Sequence, residues 1–192
     1  VAHAYGNLAV VAQKRYKIKE AEHYLQESLA IFEALQATPQ LCITYNKLGS
    51  LAQQQKRLDQ AEKYYRQALD IASEKKLMLS MAQCYKNLGL LAWERNQRES
   101  AMELIDRAQE LFAELNYQPE QAHVLTLIGN FHRQQQHWDE AATAYRQALA
   151  LQEQLADVIG MARTQISLGL FHQHRQETDL ARTAFEQARE LY

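Results

Sequence analysis

Histidine is the residue type in this chain best suited to metal or acid–base chemistry, and there are seven. His132 and His172 fall forty residues apart, with His137 and His174 close by. Zinc takes such ligands, but neither a CxxC pair nor an HExxH run accompanies them. The places held by His132 and His172 are alanine earlier in the chain, at Ala12, Ala52 and Ala92, so these imidazoles are expected to be polar core residues. No metal and no cofactor is expected. The sequence carries no Gly-rich phosphate loop and no nucleophile elbow. Scattered Ser and Glu residues on helices make poor catalysts, and the segment is read as non-enzymatic. What remains is hydrogen bonding and charge, at Asn7, Asn46, Lys47, Ser50, Lys86, Asn87, Asn130, Arg133 and Arg163, interrupted by Leu90 and Trp93. Side-chain amides bond a peptide backbone whatever its side chains, and Trp and Leu supply apolar anchors. These eleven residues are the candidate ligand-binding set, for a peptide or protein segment with some acidic residues.

The elements that must position them repeat every forty residues. Cut into 1–40, 41–80, 81–120, 121–160 and 161–192, the chain aligns without a gap. The eighth residue of each piece is Leu8, Leu48, Leu88, Ile128 or Leu168, and the ninth is Ala9, Gly49, Gly89, Gly129 or Gly169. The twenty-first is always alanine, from Ala21 to Ala181, and the twenty-fifth is large: Leu25, Tyr65, Ile105, Tyr145 and Phe185. Apolar spacing of three and four residues predicts two helices per piece. Polar breaks separate them at Tyr16-Lys17, Lys56-Arg57, Asn96-Gln97, Gln136-His137 and Gln176-Glu177. Asp59, Glu99, Asp139 and Asp179 open the second helices, where a carboxylate can cap amides and meet the positive end of the dipole. Pro39 and Pro119 fit a helix start or a turn, and Gly160 is expected to serve a similar break. On a helical wheel the fifth, eighth, ninth and twelfth residues point into the joint. The third, sixth, seventh, tenth, thirteenth and fourteenth point away, and the eleven candidates are drawn from these varying positions.

Small residues such as Gly49 and Ala61 let the two helices of a piece approach closely. A lone helix pair cannot bury both of its apolar sides, so neighbouring pieces must stack. Tyr24, Phe32, Phe112 and Tyr192 are expected on apolar second-helix positions, and Trp138 in the turn between helices. Lys63 and Arg66 precede Glu103 and Asp106 by one repeat, which predicts exposed ion pairs between outer helices, each worth at most about 1 kcal/mol.

Composition narrows the function classes. A net charge of -2 argues against nucleic-acid binding. Two cysteines, Cys42 and Cys84, form no disulfide framework and favour a reducing compartment, so a cytoplasmic setting is expected. No signal peptide and no long apolar run appears, and no membrane partner is expected. Val1 already lies inside the repeating pattern without an initiator Met, which reads as a fragment of a longer protein.

The residues Tyr45, Leu48, Gly49, Ala61, Tyr65 and Ala68, echoed in phase along the whole chain, resemble the tetratricopeptide repeat. The usual unit is about 34 residues, and the forty-residue form is similar to arrays in G-protein regulators, bacterial quorum-sensing regulators and multidomain bacterial signalling proteins. The resemblance implies an all-α fold, an α-solenoid of five stacked helix-turn-helix repeats in a right-handed superhelix, with first helices lining a concave wall. It also implies a protein-interaction scaffold that binds a peptide or protein segment there. The alternative is a ligand-responsive regulatory domain of a larger signalling protein. The subclass that grips C-terminal carboxylates is disfavoured: Lys86 and Asn87 match it in isolation, but Val10, Leu90 and Leu127 stand where it needs polar groups. The exposed end of the last repeat predicts another repeat in the parent protein or end-to-end self-association.

Overall fold

The structure, a computed structural model, describes residues 1–191. Tyr192, expected in the apolar second-helix row, lies outside the described residues. Those residues form ten helices: α1 (Ala2–Lys14), α2 (Ile18–Ala34), α3 (Thr38–Gln54), α4 (Leu58–Glu74), α5 (Met78–Glu94), α6 (Arg98–Glu114), α7 (Gln118–Gln134), α8 (Trp138–Gln154), α9 (Val158–His174) and α10 (Thr178–Leu191). The forty-residue period is that of one helical hairpin, and hairpins stack; the first helices begin at Thr38, Met78, Gln118 and Val158, three residues before the cuts at 41, 81, 121 and 161.

The backbone keeps a shorter rhythm than the side chains. Positive φ recurs at Tyr16, Gln36, Lys56, Lys76, Asn96, Asn116, Gln136, Ala156 and Gln176, at twenty-residue intervals. At the first of these, Lys17 N–H donates to Ala12 C=O (2.9 Å) and Tyr16 N–H to Gln13 C=O (3.0 Å). That pair of bonds is a Schellman ending, which satisfies carbonyls the helix leaves open. Turns within and between repeats therefore share one geometry. Gly160 is not part of it: the left-handed residue of that turn is Ala156, and Gly160 sits inside α9. The expected carboxylate caps are also displaced. Asp59 and Asp139 lie one residue inside α4 and α8, whose N-caps, Arg57 and His137, make no side-chain cap bond. They meet the helix dipole without capping it. Trp138 is the first residue of α8 and packs edge-on against Phe171, ring centroids 5.9 Å apart.

The described residues fall into two compact units, one spanning Val1–Leu111 and the other beginning at Phe112. In the first, Ala9, Ala12, Ala21 and Leu25 pack with Leu48 and Leu51 of the next repeat. Ala52, Ala61 and Tyr65 pack in the same way with Leu88 and Leu91. In the second, Ala141 and Tyr145 pack with Phe171. Each cluster joins one hairpin to the first helix of the hairpin that follows. Leu8 and Val11, at positions buried as Leu48 and Leu51, are exposed. Close approach inside a hairpin needs the ninth-position glycine. A Cβ on Gly49 or Gly129 would fall 2.5 Å from the ring of Tyr65 or Tyr145.

Ion pairs between repeats in the first unit run mainly from the turns. Arg57 Nη2 donates to both oxygens of Glu22 at 2.9 Å. Arg95 bridges Asp59 (2.5 Å) and Glu62. Arg66 meets Glu62 of its own helix at 2.6 Å, while Lys63 and Glu103 stand exposed.

Candidate functional site

Helices α7 and α9 are first helices of successive repeats in the second unit, and both flank α8. Thr126 and Thr164 tie them together through their hydroxyls, 2.8 Å apart, while Thr126 also donates to Ala122 C=O at 3.1 Å. Between the two helices lies a groove of about 400 Å³. That volume is at the lower end of the roughly 300–1,000 Å³ typical of ligand sites.

Gln152 reaches the groove from α8. It is 2 % exposed, and its Oε1 has no hydrogen-bond partner. Asp157 is the N-cap of α9, where its Oδ1 accepts the Gly160 N–H at 2.9 Å. Gly160 makes this arrangement possible. A Cβ there would lie 2.1 Å from Asp157 Oδ2 and 3.2 Å from Gln152 Cγ. The glycine is a matter of space, since its φ is ordinary. Glu120 and His123 line the groove as a pair, 3.7 Å apart, and Arg163 stands exposed beside it. Asn130 lines it too. Tyr145 donates its hydroxyl to Asn130 Oδ1 at 2.9 Å. Burial pushes the Tyr145 phenol up to about 12, only partly countered by nearby Arg133, so it remains a donor near neutral pH. The bond engages the Asn130 oxygen and not its NH₂. Arg133 is itself buried, with Nη1 3.4 Å from His174 Nε2 and Nε without a partner.

In the first unit the candidate residues divide differently. Asn87 Nδ2 donates to Asn46 Oδ1 (3.0 Å), and Asn46 Nδ2 donates to Cys42 C=O (3.1 Å) and meets Cys84 Sγ (3.2 Å). Asn46 is 9 % exposed. The sixth position was expected to point away from the joint. It faces the neighbouring first helix instead, because consecutive first helices touch. Burial raises both thiols, Cys84 to about 11. Asn7, Lys47 and Ser50 are exposed, and Lys86, Leu90 and Trp93 are half-buried, with the Arg98 guanidinium 5.0 Å from the Trp93 ring centroid. His132 and His172, expected as polar core residues, are only half-buried: the rings of His132 and His137 lie 5.8 Å apart, and His172 Nδ1 is 2.7 Å from Glu177.

Of the eleven expected residues, the groove of the second unit brings together Asn130 and Arg163. Arg133 lies near the same Tyr145. Sequence reasoning missed Gln152, Asp157 and His123. The signal for Gln152 was present: its place is Phe32, Ala72 and Phe112 in earlier repeats.

Stacked hairpins with this residue pattern define a helical repeat protein. The sequence profile of the tetratricopeptide repeat matches residues 1–74, 40–114 and 120–192, and the chain belongs to that family. No curated protein matches it. Among solved structures, BtubC (BKLC) from P. vanneervenii is similar at 24 % identity and a TM-score of 0.82, over 97 % of this chain and 78 % of that one. A Rap protein complexed with Competence and Sporulation Factor is similar at 12 % identity and a TM-score of 0.79, over 99 % of this chain and 63 % of that one. A signal transduction ATPase with numerous domains and a tetratricopeptide repeat sensor, from Pyrococcus horikoshii, is similar at 15 % identity and a TM-score of 0.83. That match spans 99 % of this chain and 29 % of the larger protein. These likenesses are of fold. Arrays of this family commonly act as protein-interaction scaffolds. No helix among the described residues is long and apolar enough to cross a membrane.

Proposed function

We propose that the chain is a protein-interaction module that takes a peptide or protein segment against its first-helix faces, with the groove between α7 and α9 as the principal contact. The observation that carries this reading is the groove's own chemistry. It is open, Arg163 and the Asn130 NH₂ offer it hydrogen-bonding groups, and Gln152, whose side chain lines it, carries a buried Oε1 with no partner in the chain. Asn130 offers donors, Gln152 an acceptor and Arg163 a fork for a carbonyl or carboxylate. Binding of this kind needs no catalytic group, and the module acts as a binder. The Rap protein among its structural neighbours is complexed with Competence and Sporulation Factor, which supports a segment-binding role for the fold. A second reading, that the module is the regulatory part of a larger signalling protein, draws support from the sensor role named for the P. horikoshii repeat domain. The two free, buried thiols suit a cytoplasmic setting.

The test is selection of random displayed peptides on the wild-type chain, followed by affinity measurement on an Asn130→Ala, Arg163→Ala double variant. Loss of binding by about tenfold or more is expected, with helical content unchanged by circular dichroism. Equal affinity for both proteins would remove the groove from the account.

A further inference from the structure

The floor of the α7–α9 groove departs from the chain's own repeat at three positions, and all three departures meet in one cavity. Where Gln152 stands, the three earlier repeats have Phe32, Ala72 and Phe112. Where Asp157 stands, they have Ala37, Leu77 and Tyr117, and where Gly160 stands, Gln40, Ser80 and Glu120. A buried acceptor without a donor is costly to keep, and a bound donor removes that cost. Gln152 Oε1 is such an acceptor, nine-tenths buried and more. Asp157 lies against the same face of Gly160, one oxygen engaged in its cap and the other not.

Charge points the same way. The groove holds two carboxylates, Glu120 and Asp157, against one permanent cation, Arg163, which is exposed. His123, the remaining titratable group, is occupied with Glu120 at 3.7 Å. The buried part of the groove therefore accepts hydrogen bonds and carries negative charge, while the exposed part donates them.

We infer that the groove admits a basic side chain of the bound segment, a lysine ammonium or arginine guanidinium, whose N–H groups donate to Gln152 Oε1 and the Asp157 carboxylate. Glu120 lies on the approach, and Arg163 and the Asn130 NH₂ are left for backbone carbonyls of the segment. This inference rests on the segment-binding reading above and deepens it. It also modifies the preference for acidic segments that the amide and lysine row suggested: acidic residues suit the exposed cations, and a basic one suits the floor.

The test is a titration of the ¹⁵N-labelled chain with Nα-acetyl-arginine amide and Nα-acetyl-lysine amide. Nα-acetyl-citrulline amide serves as the neutral isostere of arginine, and Nα-acetyl-glutamate amide as the opposite charge. Saturable amide shifts within 120–130 and 157–167 are expected for the two cations, with citrulline weaker by roughly tenfold. Gln152→Leu removes the floor acceptor, and Asp157→Asn removes the charge while keeping an oxygen to cap α9. Each should weaken the cations by roughly tenfold while the far-ultraviolet spectrum stays helical. Glutamate binding as well as arginine, no saturation by either cation, or unchanged cation binding in both variants would overturn the inference. If selected peptides still lose affinity in the Asn130→Ala, Arg163→Ala variant while the cations fail to saturate, the basic-side-chain inference falls and the segment-binding reading stands. If that variant also binds peptides as wild type does, both fall.

Discussion

The grooves flanked by α1 and α3 and by α7 and α9 are built from the same repeat positions, three repeats apart. His3 and His123 hold equal places, as do Phe32 and Gln152, Ile43 and Arg163, and Lys47 and Ser167. In the first, the Phe32 ring lies edge-on to His3, centroids 5.2 Å apart, and about 80 Å³ of space remains. In the second, a glutamine amide replaces the ring and about 400 Å³ stays open. The difference teaches that the second-helix residue at this place, together with Asp157 and Gly160 beside it, accompanies an open cleft where Phe32 fills a closed one. Packing inside each hairpin is untouched by the exchange, because it depends on other positions. Tyr145 still meets Gly129, as Tyr65 meets Gly49.

The sharpest way to break this comparison is Phe32→Gln. It removes a buried ring and strands an amide, and should cost about 3 kcal/mol or more in urea unfolding. A cost below about 1 kcal/mol would show that the ring does not hold the first groove shut. Next comes a contrast between two amides. Asn46→Ala deletes bonds to Cys42, Cys84 and Asn87 inside the α3–α5 contact, and should destabilise by about 1–3 kcal/mol. Asn130→Ala should have its larger effect on peptide affinity, measured by fluorescence polarisation. The reciprocal exchange, Gln152→Phe, removes an unmade acceptor and fills the cavity. It should stabilise the chain by about 1–2 kcal/mol and abolish peptide binding. Smallest is a pair of glycine substitutions. An added Cβ at Gly6 meets nothing nearer than 4.0 Å, so Gly6→Ala should gain about 0.5–1 kcal/mol of helix stability. Gly160→Ala must displace Asp157 from its cap, a loss of about 1 kcal/mol that offsets the helical gain. Thermal unfolding should therefore rise for the first variant and not for the second.

Acid should act on the first unit through Glu94. Hydrogen bonds from Lys56 and Gln53 hold its carboxyl below the usual range. The contribution is present above the ordinary carboxylate value and is lost as pH falls through the depressed folded value. Glu94→Gln should flatten that part of the pH–stability curve, though only slightly, since the pair is largely exposed.

The repeat was legible because packing between hairpins depends on residue size at fixed places. The eighth, ninth, twenty-first and twenty-fifth positions announce the fold before any coordinate. The turns were legible only by half. The polar breaks inside repeats stood out, but the same Schellman ending between repeats carries Gln36, Lys76, Asn116 and Ala156, which show no shared residue type. Gly160 misled for a related reason. Glycine suggests a turn, and here it makes room for a carboxylate and an amide. The site was less legible than the fold. A helical wheel treats each helix as facing one joint, whereas a first helix in a stack faces its own partner and two neighbouring first helices. Asn46 therefore lies inside a contact that the wheel left open. Gln152 escaped because candidates were sought on first helices, although a polar residue in an apolar second-helix row marked the groove floor.

Hydrogen–deuterium exchange with and without a selected peptide tests the central claim most directly. The account predicts slowed exchange in α7 and α9, with α1 and α3 unchanged. Protection confined to α1 and α3, or equal in both grooves, would contradict it.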